Sequence, residues 1–169
     1  MTHPNPIGID PSTKSTGYAY RDVATRDWVL GSVPADQMPC VLEQAARDGV
    51  THALIEDVYV DRRNFATSLL LKEVQTRIVV QLENLHVEPM WEDKKGVVRY
   101  TVPILTWKHG MLEENGVLVK GRDPQKARAV WVAKYALGAG VANDDEADAV
   151  CICEFARVHL ERAARLEGR

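Results

Sequence analysis

Three acidic stretches hold the side chains best suited to chemistry. Asp10 ends Ile7-Gly8-Ile9-Asp10, a short strand pattern that runs into the turn-rich Pro11-Ser12-Thr13-Lys14-Ser15-Thr16-Gly17. Alternation along a strand turns Ile7 and Ile9 to one face, and Gly8 and Asp10 to the other. Glu56 ends the apolar run His52-Ala53-Leu54-Ile55, where a carboxylate is costly to bury unless it is paired or bound to a metal. Asp145 and Asp148 share nearly one face of an expected helix, the face that continues through Ile152, Phe155 and His159. Two carboxylates on an inward face repel one another unless a cation sits between them. Gathered together, the four acids would make an oxygen-rich site suited to Mg²⁺ or Mn²⁺, and two such ions about 3.5–4 Å apart support in-line displacement at phosphorus. Each stretch also has a plainer explanation. Asp10-Pro11-Ser12 could be a self-bonded turn, and Glu56 could be a strand end emerging into solvent. Asp144, Asp145 and Glu146 could simply complement the dipole of a first helical turn.

The elements that must carry these residues follow from periodicity and punctuation. Residues 7–10, 18–20 and 28–30 read as three strands of a meander. Residues 37–48 form a helical pattern stopped by Gly49, and residues 52–56 a further strand. From Phe65 to about Glu83 a long helix carries Leu69, Leu70, Leu71, Val74, Ile78, Val79, Val80 and Leu82. That is more than one apolar stripe, so one face suits the core and another a partner. Residues 86–91 are a strand candidate weakened by Pro89. Pro103 and Pro124 each mark a first helical turn, the second with Asp123 as its N-cap. The last helix opens at Asn143, with Glu146 completing a capping-box pattern, and runs to about Arg165. Strands followed by alternating helices and strands indicate one α/β domain over residues 1–169, with a mixed five-stranded sheet flanked by helices.

Composition agrees with one globular domain: 169 residues, 46% hydrophobic and 27% charged. Cys40, Cys151 and Cys153 form no disulfide framework and no zinc pattern, and the last two read as core thiols. No signal-peptide pattern and no long apolar run is present, so a soluble cytoplasmic protein without membrane contact is expected. The net charge of −3 argues on its face against a nucleic-acid binder. Its distribution argues the opposite, because residues 94–135 hold nine basic residues against three acids.

The ordered segments 7–18, 54–59 and 145–149 resemble the three acidic motifs of the RuvC family of Holliday-junction resolvases, over nearly the whole chain. The resemblance implies a ribonuclease H-like fold, a homodimer, and two Mg²⁺ ions, with Mn²⁺ able to substitute, held by Asp10, Glu56, Asp145 and Asp148. Some family members carry His where Asp145 stands. The implied activity is hydrolysis of phosphodiesters in four-way DNA junctions, giving symmetric nicks with 5′-phosphate and 3′-hydroxyl ends. Tyr59 takes the place of an aromatic that wedges against bases, and an aromatic there can stack. Lys126, in Gly121-Arg122-Asp123-Pro124-Gln125-Lys126, takes the place of a family lysine at the scissile phosphate. Lys108 stands for a second family lysine, and Arg62, Arg63, Lys120 and Arg122 are further expected DNA contacts. A branch-migration motor is a conceivable partner, not one inferable from residues.

Departures are equally specific. Ser12 replaces a usual glycine, the Gly121-to-Lys126 separation is one residue longer, and the segment through Glu113-Glu114-Asn115-Gly116 does not match. These mark a divergent member and are compatible with a phage origin. Three alternatives remain: a non-catalytic junction-binding relative, against which retention of all four acids argues, the same fold and metals acting on other branched DNA or on structured RNA, and the sugar-kinase and actin-like ATPases. The last need two lobes to enclose a nucleotide, whereas 169 residues provide one.

Overall fold

A computed structural model describes residues 4–58 and 62–167, the side chains of Arg62 and Glu167 excepted. Three strands, β1 (Pro6–Asp10), β2 (Thr16–Arg21) and β3 (Trp28–Val33), form the expected antiparallel meander. A short 3₁₀ turn leads into α1 (Met38–Arg47), which ends before Gly49 at φ +87°. Strand β4 (His52–Glu56) then returns parallel to β1, in the register Ile7 to Ala53, Gly8 to Leu54 and Ile9 to Ile55. Helix α2 (Phe65–Asn84) follows.

The fifth position of the sheet is divided. β5 (Glu88–Pro89) pairs with the start of β4, and β8 (Thr101–Val102) with its end. Between them β6 (Trp91–Glu92) and β7 (Val98–Arg99) leave the sheet as a separate hairpin. Residues 86–91 are therefore not one strand. Pro89 has no amide hydrogen for a ladder, so it is tolerated only on this interrupted edge. The main sheet is mixed as expected, in the order β3-β2-β1-β4-β5, but has six strands instead of five because β8 shares the fifth position with β5.

Helix α3 (Ile104–Leu112) begins directly after Pro103, as the sequence indicates. A second, unexpected hairpin follows, β9 (Glu113–Glu114) with β10 (Val117–Leu118). Its turn residues Asn115 and Gly116 have φ +53° and +78°, the left-handed pair that matches hairpin twist. Helix α4 (Arg122–Trp131) starts two residues before Pro124, capped by Gly121 at φ +93° instead of by Asp123. A proline is tolerated in the first turn because the amide hydrogens there have no intrahelical partner anyway. One π-helical turn (Val132–Ala136) separates α4 from the loop to α5 (Asp144–Glu167). At the start of α5, Asn143 Oδ1 accepts from the Glu146 amide at 2.9 Å. The Glu146 carboxylate reaches back to the Ala142 amide at 2.6 Å, one residue beyond the usual capping-box donor.

Alternation along the strands divides the core. Ile7, Ile9, Tyr20, Ala53 and Ile55 pack with Leu42, Ile78 and Leu82 on the α1 and α2 side. Ala19 and Leu54 pack with Trp107, Ala129, Ala149 and Ile152 on the side of α3, α4 and α5. Cys151 and Cys153 are buried core thiols, as expected. Among the described residues no helix is long and apolar enough to cross a membrane.

Candidate active site

Register brings the first two acids together. Ile9 stands opposite Ile55 in the parallel pair, so the next residues, Asp10 and Glu56, end neighbouring strands side by side. Ligands of α/β sheets bind at such carboxyl ends. Asp10 shares its face with Gly8, and that face meets α5. A Cβ on Gly8 would stand 2.3 Å from the Ala149 carbonyl oxygen and from the Cys153 nitrogen. A Cβ on Gly17, which pairs with Asp10, would stand 2.3 Å from the Asp145 carbonyl oxygen. Glycine at both positions lets the α5 backbone lie on the strands, and this close approach carries Asp145 and Asp148 to Asp10. The sequence places Gly8 on the Asp10 face of a strand and Gly17 in a turn-rich stretch, and gives no sign of their partner, which lies more than a hundred residues away.

The result is a cleft of about 300 Å³ lined by Asp10, Glu56, Asp144, Asp145 and Asp148, with Lys108, Arg122 and Lys126 as its cations. Pro11, Ser12, Thr13 and Leu71 complete the wall. Ser12 does not adopt positive φ, so the loop needs no glycine there. Its hydroxyl instead accepts from the Lys14 amide at 3.3 Å, and its carbonyl from the buried Thr16 hydroxyl at 3.4 Å.

The four predicted acids feel one another. Burial pushes Asp10 well above the carboxylate range, and the charges of Glu56, Asp148 and Asp145 push it further, against the pull of Lys108. Burial also raises Glu56, opposed by Lys108 and by the Trp107 hydrogen bond. Asp148 is pushed up to about 7, first by burial, with Glu56 and Asp144 adding to it and Lys108 and Lys126 opposing. Asp145 is raised by burial and then by Asp144. As they stand, no three His, Cys, Asp or Glu side chains among the described residues are gathered into a metal cage. The donors are nonetheless hard oxygens in one polar cleft whose mutual repulsion a divalent cation would relieve, so they fit Mg²⁺ or Mn²⁺ by chemistry.

The other predicted residues divide. Lys126, at the fifth position of α4, makes an ion pair with Asp144, and this hydrogen bond raises the lysine and lowers the carboxylate. Lys108 reaches the cleft from α3, and its charge acts on Asp10, Glu56 and Asp148. Arg122 lines the wall, whereas Lys120 and Arg63 are exposed and outside the lining. Tyr59 and the Arg62 side chain lie outside the described residues. Two participants escaped sequence reasoning. Asp144 reads as an ordinary first-turn acid, and only the fold sets it beside Lys126. Trp107 is not singled out by any motif, yet it is fully buried and its indole N–H donates to Glu56 Oε2 at 2.8 Å. The β9–β10 hairpin joins the helices that supply the cations. His109 meets Glu113 at 2.9 Å, and Gln125 donates to the Val119 carbonyl at 2.9 Å.

No protein-family model matches the chain, and no curated protein does. Among solved structures, RuvC of T. thermophilus in complex with a Holliday junction substrate superposes with a TM-score of 0.62 at 16% identity, over 95% of this chain and 96% of that one. The yeast mitochondrial Holliday junction resolvase Ydc2 covers 97% of this chain and 85% of its own at 12% identity, with a TM-score of 0.39. At such identities the first likeness establishes the fold: the mixed sheet and its helices have the architecture of the T. thermophilus protein, as the motifs predict.

Proposed function

We propose that this chain is a metal-dependent endonuclease that resolves four-way DNA junctions. The observation that carries the proposal is the convergence of Asp10, Glu56, Asp145 and Asp148 on one cleft, from two strand ends and a helix, in a fold shared with a junction-bound RuvC. In this proposal the four carboxylates would hold two Mg²⁺ ions, or Mn²⁺ in their place, which would supply an activated water and stabilise the leaving 3′ oxygen. The chain's own part is to place a phosphodiester against those carboxylates. Lys108 and Arg122 attract the phosphate into a wall that would otherwise repel it. Lys126, held by Asp144, stands ready to meet the charge that develops on the phosphoryl oxygens. Tyr59 follows the Glu56 strand and would stack on bases where the strands exchange. The products would be paired nicks with 5′-phosphate and 3′-hydroxyl ends.

Paired nicking needs two copies, since a two-fold junction presents two strands to two symmetric sites. The surface of α2 supports such a dimer. It buries Ser68, Gln75, Ile78 and Leu82 and leaves Phe65, Leu69, Leu70 and Val80 in solvent, the second apolar stripe anticipated from its sequence. Light scattering at micromolar concentration should report twice the mass of 18.9 kDa.

The central test offers Mg²⁺ and a panel of four-way junctions, forks, flaps, linear duplex and structured RNA. Cleavage of the junction in preference to the rest is expected, and no cleavage of any branched DNA would overturn the proposal. Junction binding should weaken steeply with added salt, since phosphate contacts release counterions.

A further inference from the structure

We propose that Trp107 is the positioning residue of Glu56, so that Glu56 meets a divalent cation in the right orientation only while the indole N–H holds its carboxylate. The inference rests on the assignment of the cleft as a metal-dependent nuclease site. Trp107 is fully buried in the middle of α3. A buried indole N–H needs an acceptor, and most find a backbone carbonyl or water. Here the acceptor is Glu56 Oε2, fifty-one residues away in the chain and 2.8 Å away in space.

The other end of Glu56 is held as firmly. Gln75 of α2, itself only 2% exposed, donates to the Glu56 carbonyl at 3.0 Å. The Gln75 side-chain oxygen accepts in turn from Lys72, which also bonds Asp57 at 3.1 Å. Glu56 is thus gripped through its backbone from α2 and through its carboxylate from α3. A glutamate has three side-chain torsions to search, and a donor fixed on one oxygen removes most of that search before a cation arrives.

The chemical identity of the donor matters. A lysine or arginine at this point would orient the carboxylate but also cancel its charge and compete with the cation. An indole donates one hydrogen and brings no charge, so it orients the Glu56 carboxylate without neutralising it. Lys108, next in the chain, leaves the helix about 100° around from Trp107 and lines the cleft. The Lys108 Nζ lies 5.3 Å from the centroid of the Trp107 ring, so one turn of α3 supplies both the neutral donor to Glu56 and a cation of the cleft.

The test compares the wild-type protein with Trp107→Phe and with a protein carrying benzothienylalanine at position 107, which keeps the ring volume and replaces the N–H by sulfur. Calorimetric titration with Mn²⁺ reads affinity, thermal melts confirm that each protein is folded, and junction cleavage is followed against Mn²⁺ concentration. We expect affinity to fall about tenfold or more in both variants, with excess Mn²⁺ restoring most of the cleavage rate. Affinity within twofold of wild type in the benzothienylalanine protein would overturn the inference while leaving the nuclease assignment intact. A wild-type protein that neither binds Mn²⁺ nor cleaves junctions would remove the assignment and the inference together.

Discussion

Two charged clefts of similar size lie at opposite ends of β1, and they are built on opposite principles. At the carboxyl end, about 300 Å³ is lined by five carboxylates against three cations. At the amino end, about 270 Å³ is lined by Arg21, Arg26 and Arg157 with Glu154 and Glu161. In the amino-end cleft both carboxylates are paired. Arg157 bonds Glu154 through two nitrogens and Glu161 through a third, and the hydrogen bond to Glu154 raises its already high pKa. The Arg21 guanidinium lies 4.2 Å from the Trp28 ring and donates to the Arg26 carbonyl at 2.9 Å.

At the carboxyl end the anions outnumber their partners, and every predicted acid there is harder to ionise than usual. Satisfied charge costs little and stabilises modestly. Unsatisfied carboxylates in a buried cleft are destabilising until something positive arrives, which is the arrangement expected where a metal and a phosphate must meet.

Four experiments can break or sharpen this contrast. The largest effect belongs to the acidic cleft: Asp10→Asn should cut junction cleavage by about 10²–10³-fold or more, while a gel shift shows binding largely kept. Unchanged cleavage would mean that the acids are not the reactive centre.

Next comes the backbone approach that assembles the cleft. Gly8→Ala places a Cβ within 2.3 Å of α5 backbone atoms, which cannot yield as a side chain could. Overpacking of this kind costs about 1–3 kcal/mol or more, so denaturant unfolding should show that loss together with reduced cleavage. A fully stable Gly8→Ala protein would show that α5 is free to move from β1.

A pH series probes the unsatisfied charge. The Asp148 carboxyl shifts from an ordinary 3.8 to about 7 in the folded state. Between those values the native protein holds a proton that the unfolded chain has released. Stability of the metal-free protein should therefore fall as pH rises from about 4 to 7 and level off above that. Asp148→Asn should flatten this slope and raise the melting temperature at pH 7.5, and Mg²⁺ should raise that of the wild type. An identical slope in the variant would assign it to other groups.

The smallest effect belongs to the amino-end cleft. Glu161→Gln leaves Arg157 paired with Glu154, so a loss below about 1 kcal/mol is expected, with cleavage unchanged. A cleavage defect there would erase the distinction between the two ends.

Much of this was written locally. The meander, α1, α2, α5 and the cap at Asn143 follow from periodicity, turn residues and helix-terminal chemistry, all of which act within a few residues. The strand-end positions of Asp10 and Glu56, and the shared face of Asp145 and Asp148, are legible for the same reason, as is their order along the chain. The two hairpins were not: their strands are two residues long, too short for any periodic signal. The start of α4 is not legible locally, because Asp123 and Pro124 satisfy the local rules for a cap and a first turn while Gly121 at φ +93° takes the capping place.

What the sequence by itself determined is which side chains are available for chemistry and which local elements bear them. What only the tertiary structure decided is which of them meet. Parallel register sets Asp10 beside Glu56, two glycines admit α5 to the strands, and Asp144 and Trp107 meet partners on α4 and β4. These contacts join residues 18 to more than 130 positions apart. Their energies come from close packing and desolvation between elements, which spacing along the chain does not encode.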